Sequence, residues 1–373
     1  MSPSFRLGRI FGIPFGVNWS WLVVLALITW TLGSGVFPAQ NPGLSRGTYY
    51  GMAVIAALLF FTSLLLHELG HAVVAKREGM EIEGITLWLF GGVARFRGMF
   101  PSAGAEFRIA VAGPLVTLVL GGLFVAIAVW GHLPNEVDGV AAWLGYINLF
   151  LLAFNLLPAL PLDGGRILRS VLWRVKGDFR WATEIAAMAG RGISFLMIGG
   201  GIALLVFEGV FSGAWLAFMG WFLLQASTSE LRYLVVQEAL IGLRVHNLMT
   251  RDPVTVTSDQ TLGEVVDQVA AHRHTTYPVV EDGKVVGLLP FGNLASVART
   301  HWDEYRVRDC MLSMDKVPTL GPEEEALTAL AELQESPVNR ALVLEDGRLA
   351  GLLSISDIAH AIEIRRPLRL RRS

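Results

Sequence analysis

The stretch FFTSLLLHELGHAVVAKREGM, Phe60 to Met80, carries His67, Glu68 and His71 inside a run that is otherwise apolar until Lys76. Histidines four residues apart share one face of a helix. That spacing lets two imidazoles hold a single zinc ion, with Glu68 beside them able to take a proton from water in the site. In the competing arrangement the histidines hydrogen-bond within a helical bundle and Glu68 pairs with an arginine. A hydrolytic zinc site needs a third protein ligand and an open position. The best candidate is Asp163, in NLLPALPLDGGRIL (Asn155–Leu168), at the end of a long uncharged run. Pro158 and Pro161 break helical geometry there, and Gly164 and Gly165 permit close backbone approach. Asp163 could instead cap a helix that starts near Gly165. One Zn²⁺ per chain is the expected cofactor.

Such a site needs apolar elements to carry it. The 373 residues are 53% hydrophobic and 17% charged, too apolar for an ordinary soluble enzyme. The apolar excess stops at about residue 236, where a mixed, soluble texture begins. Six candidate spans precede that point, each near the roughly 20 residues a bilayer requires. They are Val17–Val36, Tyr50–Ala75, Ile109–Gly131, Gly139–Leu162, Gly192–Phe207 (beginning earlier, near Thr183) and Gly209–Thr228. Lys and Arg gather on one side, in the N-terminus, the loop from Lys76 to Arg108, and the segment from Arg166 to Arg180. Only Arg46 lies on the other. This asymmetry predicts a multi-pass protein of the cell membrane with both termini and the soluble part cytoplasmic. His67 precedes Lys76 by nine residues, roughly 13 Å of helix, so the site falls within the bilayer near its cytoplasmic face. The fourth span descends to that face and brings Asp163 to a similar depth.

Other features bound the function. A net charge of −2 gives no case for nucleic acid as a partner. Cys310 is the single cysteine, so no internal disulfide forms. The N-terminus has no cleavage site after a short apolar core and is expected to be retained. GITLWLFGGVARFRG, Gly84–Gly98, reads as a hairpin turning at Gly91–Gly92. The soluble part is a repeat in which Met249 corresponds to Met311 and Gly287 to Gly351. Each copy reads strand, helix, strand, Asp-Gly turn, strand, helix. The tail RRPLRLRR, Arg365–Arg372, could touch anionic lipid or fray in solvent.

HELGH in the second span, FGGVA at Phe90–Ala94, AGP at Ala112–Pro114 and FNLLPALPLDGGR at Phe154–Arg166 together resemble the site-2 protease family of intramembrane zinc metalloproteases, in its six-span branch with C-terminal CBS domains. The resemblance covers nearly the whole chain. It implies His67, His71 and Asp163 as zinc ligands, Glu68 as catalytic base, and Asn155 as a donor to the oxyanion; for Asn155, a structural amide at a broken helix is the alternative. It implies that the hairpin is embedded in the membrane, where an extended substrate adds as a strand or the hairpin only shields the site. It implies single-span membrane proteins as substrates, cut in regulated intramembrane proteolysis. Two positions depart from the family pattern. Thr117 stands where Asn is frequent, and Asn18 where His is frequent. Both are expected to bear on substrate contacts and not to touch the metal triad.

The repeat resembles tandem CBS domains, which implies an adenine nucleotide ligand and homodimers formed through these domains. The ribose-contacting pattern of that family is intact in GLLSISD, with Ser354 and Asp357, and altered to GLLPFGN in the first copy, with Pro290 and Asn293. At most one well-formed nucleotide site per chain is expected. Ser354 and Asp357 would also suit a helix start without a ligand. The expected architecture is an α-helical polytopic membrane domain over 1–240, with six transmembrane helices and a small membrane-associated β-hairpin. A cytoplasmic α/β tandem CBS domain follows, at 241–303 and 304–364, then a basic tail, 365–373. The rival function is a CBS-gated membrane transporter or channel, against which the three-ligand site with an adjacent base argues.

Overall fold

The structure, a computed structural model, describes residues 5–89, 91–209, 212–269 and 275–370. Phe90 of the FGGVA motif, residues 210–211 of the sixth expected span and the last three residues of the basic tail lie outside these. The chain divides into two compact units, Met1–Leu231 and Arg232–Ser373.

In the first unit β1 (Phe5–Ile10) and β2 (Ile13–Val17) form an antiparallel hairpin. Its two turn residues, Phe11 and Gly12, both take positive φ, as a type I′ turn requires. α1 (Ser20–Thr31), a π-helical turn over Leu32–Val36 and α2 (Phe37–Gln40) follow as one apolar rod. The Ser45 hydroxyl accepts from the Thr48 amide to start α3 (Arg46–Arg77). α3 ends on Lys76 and Arg77, with Gly79 in the left-handed region beyond. β3 (Glu81–Trp88) pairs antiparallel with β4 (Gly91–Arg97) and parallel with β2, giving the sheet order β1-β2-β3-β4. Ile13 and Ile85 of this sheet pack on Leu69 and Ala72 of α3. Among the described residues, α4 (Ala103–Trp130), α5 (Asn135–Asn155), α6 (Asp163–Lys176) and α7 (Phe179–Phe207) complete the unit, with the part of α8 (Ser212–Leu240) up to Leu231; the rest of α8 belongs to the second unit.

Five stretches of the described residues are long and apolar enough to cross a membrane: Ser20–Gln40, α3, α4, α5 and α7. The described residues of α8, at the sixth expected span, are less apolar, with Gln225, Ser227 and Thr228 interrupting the run. Leu22, Leu118, Val129 and Leu196 stand exposed on these helices, a surface suited to lipid and not to water. Inside, α3 buries Ala53, Ala56, Ala57, Ala72 and Ala75, small residues that let helices approach where no hydrophobic effect drives them together.

Several helix ends differ from the sequence expectation, each for a local reason. The first helix starts at Ser20 and not Val17, because Val17 closes β2. The helix of the fourth span stops at Asn155 and not Leu162, because Pro158 and Pro161 lack the amides needed to continue it. α7 begins at Phe179, where the Asp178 carboxylate accepts from the Trp181 amide. α4 begins at Ala103, six residues before the expected Ile109, because its charged first turn finds a partner inside the protein.

That partner is Arg169 of α6. Its Nε and Nη2 lie 2.7 and 2.5 Å from Glu106 Oε1, and its Nη1 lies 3.2 Å from Glu230 Oε1 on α8. The guanidinium also stacks against Phe100 and Phe179. Arg169 is 3% exposed and Glu106 0%, so removing Arg169 leaves the Glu106 charge buried and unpaired. Arg169→Ala is expected to destabilise the protein by about 3–5 kcal/mol, and the pair Glu106→Gln/Arg169→Met to recover most of that. Thermal unfolding in detergent checks both; an unchanged midpoint for Arg169→Ala would contradict the argument.

In the second unit the first copy of the repeat supplies β5 (Thr250–Arg251), α9 (Leu262–Val269), β6 (Thr276–Glu281), β7 (Lys284–Pro290) and α10 (Phe291–Ala295). The second supplies α11 (Val307–Cys310), β8 (Leu312–Ser313), β9 (Thr319–Leu320), α12 (Ala326–Glu335), β10 (Arg340–Glu345), β11 (Arg348–Ser354) and α13 (Ile355–Leu370). The Asp-Gly turns, Asp282-Gly283 and Asp346-Gly347, take positive φ at both residues and close the two hairpins. The copies exchange strands. β5 pairs with β11 of the second copy, and β8 with β7 of the first. This explains the matched positions read from the repeat. A Cβ on Gly351 would lie 2.8 Å from both the Thr250 carbonyl and Met249 Sδ, and one on Gly287 would lie 2.4 Å from the Leu312 carbonyl and 3.0 Å from Met311 Sδ.

Candidate metal centre

Two turns of α3 place His67 and His71 on one face, both nearly inaccessible. Their Nε2 atoms are 3.2 Å apart. The Nδ1 of His71 lies 2.6 Å from the Ile109 carbonyl. A carbonyl only accepts, so the proton sits on Nδ1 and the Nε2 lone pair is free. The Nδ1 of His67 meets the Thr117 hydroxyl at 2.7 Å, which holds that ring in the same orientation. Such contacts to the far nitrogen are what orient metal-ligating histidines.

Asp163 is the first residue of α6, with Leu162 at the cap position. Its carboxylate does not cap the helix. It turns to the imidazoles, with Oδ2 at 3.1 Å from His67 Nε2 and Oδ1 at 3.2 Å from His71 Nε2. The break after Asn155 and the close turn through Gly164 and Gly165 make this reach possible: a Cβ on Gly164 would lie 2.2 Å from the Leu156 carbonyl.

Three observations test whether the residues fit a metal ion. One ligand atom from each of His67, His71 and Asp163 lies within 4.8 Å of the other two. Ligands held at roughly 2.0–2.1 Å around a tetrahedral ion stand roughly 3.3 Å apart, and the contacts here are 3.1–3.2 Å. Asp163 Oδ2 is buried and accepts no hydrogen bond despite its closeness to His67. The His71 Nε2 lone pair and the two carboxylate oxygens face one point together with His67 Nε2, a crowding of donor atoms that a cation between them would relieve. Gly113 of α4 keeps the space open, since a Cβ there would come 2.2 Å from His71 Nε2. The donor set of two imidazoles and one carboxylate suits zinc.

The centre opens into a cavity of about 380 Å³ lined by His67, Glu68, His71, Asn155, Asp163 and Arg166, with β4 and α8 contributing further walls. Glu68 is wedged against β4, where a Cβ on Gly92 would lie 2.4 Å from its Cγ. Asn155, the last residue of α5, reaches the same cavity. The structure thus brings together the five residues expected around the metal.

Ser354 and Asp357 lie in the second unit. Asp357 Oδ2 accepts from the Ser354 amide at 2.9 Å and from its hydroxyl at 2.6 Å, while the Asp357 amide donates back to Ser354 Oγ. They form a reciprocal cap at the start of α13. In the first copy Pro290 precedes α10, and Asn293 donates to the Cys310 carbonyl at 2.8 Å.

The expectation that neither departing position touches the triad is corrected for Thr117, which bonds His67 directly. Its side chain is short enough to meet the ring at a hydroxyl and lies one helical turn after Gly113. Asn18 behaves otherwise: its Oδ1 accepts from the Ser20 amide, and its own amide donates to the Leu87 carbonyl, prolonging the β2–β3 ladder. The sequence reading put Gly92 in the hairpin turn, whereas it lies in β4 paired with Leu87 and against Glu68, and it counted Arg166 only as one charge among several. Its i, i+3 spacing from Asp163 was the available signal.

Comparison with known proteins gives matches over most of the chain. The family model described as Peptidase family M50 matches residues 55–135 and 132–199, and the CBS domain model matches 245–299 and 307–364. Rip3 of Mycobacterium tuberculosis is 40% identical over 98% of this chain and 94% of its own length. The zinc metalloprotease MJ0392 of Methanocaldococcus jannaschii is 33% identical over 98% and 97%. The solved site-2 protease from Methanocaldococcus jannaschii covers 61% of this chain and 95% of its own, at 31% identity and a TM-score of 0.43.

Proposed function

This chain belongs to peptidase family M50 as a metalloprotease of the site-2 type with a tandem pair of CBS domains, and on that premise we propose that it hydrolyses peptide bonds in or near the transmembrane segments of single-span membrane proteins. The observation that carries the reading is the convergence of His67, His71 and Asp163 on one point of a cavity that also holds Glu68, inside helices apolar enough to cross a bilayer.

In this reading His67, His71 and Asp163 hold one zinc ion. The ion, when bound, supplies Lewis acidity toward water and the substrate carbonyl. Glu68 takes the proton from the attacking water and later delivers it to the leaving nitrogen. Asn155 donates a hydrogen bond to the carbonyl oxygen as negative charge develops there. The apolar helices around the cavity restrict water to what the reaction uses. A helical substrate must unwind to expose its peptide bond. β4 is an edge of the four-stranded sheet and lines the cavity, so an extended segment can add to it as a strand. The Lys and Arg distribution supports a cell-membrane protein with six spans, α8 being the sixth, and with both termini and the CBS pair cytoplasmic.

The direct test is co-reconstitution of the purified protein with single-span membrane proteins in liposomes and mass spectrometry of the products. Cleavage inside or beside the apolar segment, lost on chelation and restored by zinc, supports the reading; cuts confined to distant soluble regions oppose it. The His67–Thr117 contact adds a second expectation. Thr117→Val is expected to weaken zinc binding by about 10–100-fold, and Thr117→Ser to restore it, measured by competition with a chelator.

The CBS pair is proposed to bind an adenine nucleotide at Ser354 and Asp357, to respond to it, and to form homodimers. Asn293 lacks the carboxylate and Pro290 the hydroxyl of the second copy, so calorimetry of the full chain with ATP, ADP and AMP is expected to give at most one nucleotide per chain. Two per chain, or binding unchanged in Asp357→Ala, would refute the assignment.

A further inference from the structure

Hydrolysis creates charge inside this cavity. A neutral amide and water become a carboxylate and an ammonium: the water oxygen bonds to the carbonyl carbon, the C–N bond breaks with its electron pair left on nitrogen, and both water protons end on that nitrogen. A new carboxylate is costly in an apolar enclosure unless a cation meets it. Among the described residues lining the cavity, Arg166 is the one permanent cation.

Three observations leave Arg166 available. Its Nε is buried and has no hydrogen-bond partner among the described residues. The nearby buried acid, Glu106, is already engaged by Arg169 at 2.7 and 2.5 Å. Asp163 is turned to the two imidazoles. Arg166 sits one turn after Asp163 on α6, so the two side chains share a face and reach the cavity together. An arginine at the cavity wall whose Nε is buried and unpartnered, and whose guanidinium makes no ion pair among the described residues, suits an anion that arrives during function. Its planar fork matches a carboxylate with two parallel hydrogen bonds.

We propose that Arg166 is a carboxylate subsite that receives the new C-terminus produced by cleavage. This rests on the reading of the cavity as a proteolytic site. Arg166 binds the product in preference to the uncharged substrate, so it governs product retention.

The test compares two peptides on the full chain in detergent, N-acetylated Ala-Leu-Leu-Ala as the free acid and as the C-terminal amide, each with zinc-loaded and zinc-stripped protein. Stripping removes the competing attraction of the metal. The stripped wild type is expected to bind the acid at least about 10-fold more tightly than the amide. Arg166→Gln is expected to abolish that preference, and Arg166→Lys to keep part of it. Equal affinities in the stripped wild type, or a preference that persists in Arg166→Gln, overturn the proposal, and the wild-type ratio decides even if a variant fails to fold. The two readings separate cleanly. A preparation that cleaves membrane substrates but binds both peptides equally, or neither, refutes the subsite and leaves the protease. One that prefers the acid but cleaves no substrate keeps the anion site and removes the protease.

Discussion

Glu68→Gln is expected to lower the cleavage rate by about 10²–10⁴-fold while leaving the metal content of the protein unchanged. The amide is isosteric with the carboxylate, so the fit of the side chain against Gly92 is preserved. His67, His71 and Asp163 keep their mutual contacts, because none of them depends on Glu68. What is lost is the basicity needed to take a proton from water and return it to nitrogen. Purified wild type and variant, compared for zinc by elemental analysis and for cleavage in liposomes, separate the two effects. Cleavage by Glu68→Gln at the wild-type rate would show that another group is the base. Loss of zinc along with activity would show that Glu68 belongs to the ligand set.

The second large effect comes from a residue that does no chemistry. Gly113→Ala is expected to reduce bound zinc to a small fraction of one per chain and to remove cleavage. The added Cβ would lie 2.2 Å from His71 Nε2, 2.6 Å from its Cε1 and 2.8 Å from His67 Nε2. Ordinary contacts are longer by about an ångström, so a ring or a helix must move. A retreat of α4 from α3 would open the close packing of the Ala112 carbonyl on Gly70, where a Cβ would lie 3.1 Å away. Turning His71 breaks its 2.6 Å contact with the Ile109 carbonyl. Gly122→Ala is the control on the same helix: a Cβ there meets nothing within 4 Å, so metal and activity are expected to stay. Full zinc occupancy in Gly113→Ala would mean that the centre is looser than the contacts indicate.

The residues proposed to do the chemistry were the most legible in the sequence, for a geometric reason. His67, Glu68 and His71 are local, and helix periodicity alone puts both imidazoles on one face. Asp163 was legible because a lone acid ends a long uncharged run, and the prolines before it signalled the break that lets it turn inward. What stayed hidden depends on contacts between distant segments. Thr117 meets His67 across 50 residues, and Arg169 meets Glu106 across 63; no local pattern states which side of α4 faces α3 or α6. Glu106 misled the placement of α4, since a charge there looks like the end of a span until its buried partner is known. β1 and β2 were missed because a short hairpin in front of a span has little apolar alternation, and its parallel pairing with β3 links residues about 70 positions apart. The exchange of β5 and β8 between the CBS copies was equally invisible, although Gly287 and Gly351 carried its trace as matched positions of the repeat.

The central claim is that two imidazoles of α3 and the carboxylate that opens α6 grip one zinc ion between them. Elemental analysis of wild type and Asp163→Ala, purified side by side without metal-chelating tags, addresses it most directly. The account predicts close to one zinc per chain in the wild type and a loss of nearly all of it in the variant. A wild type without stoichiometric metal, or a variant that retains the full complement, would contradict it.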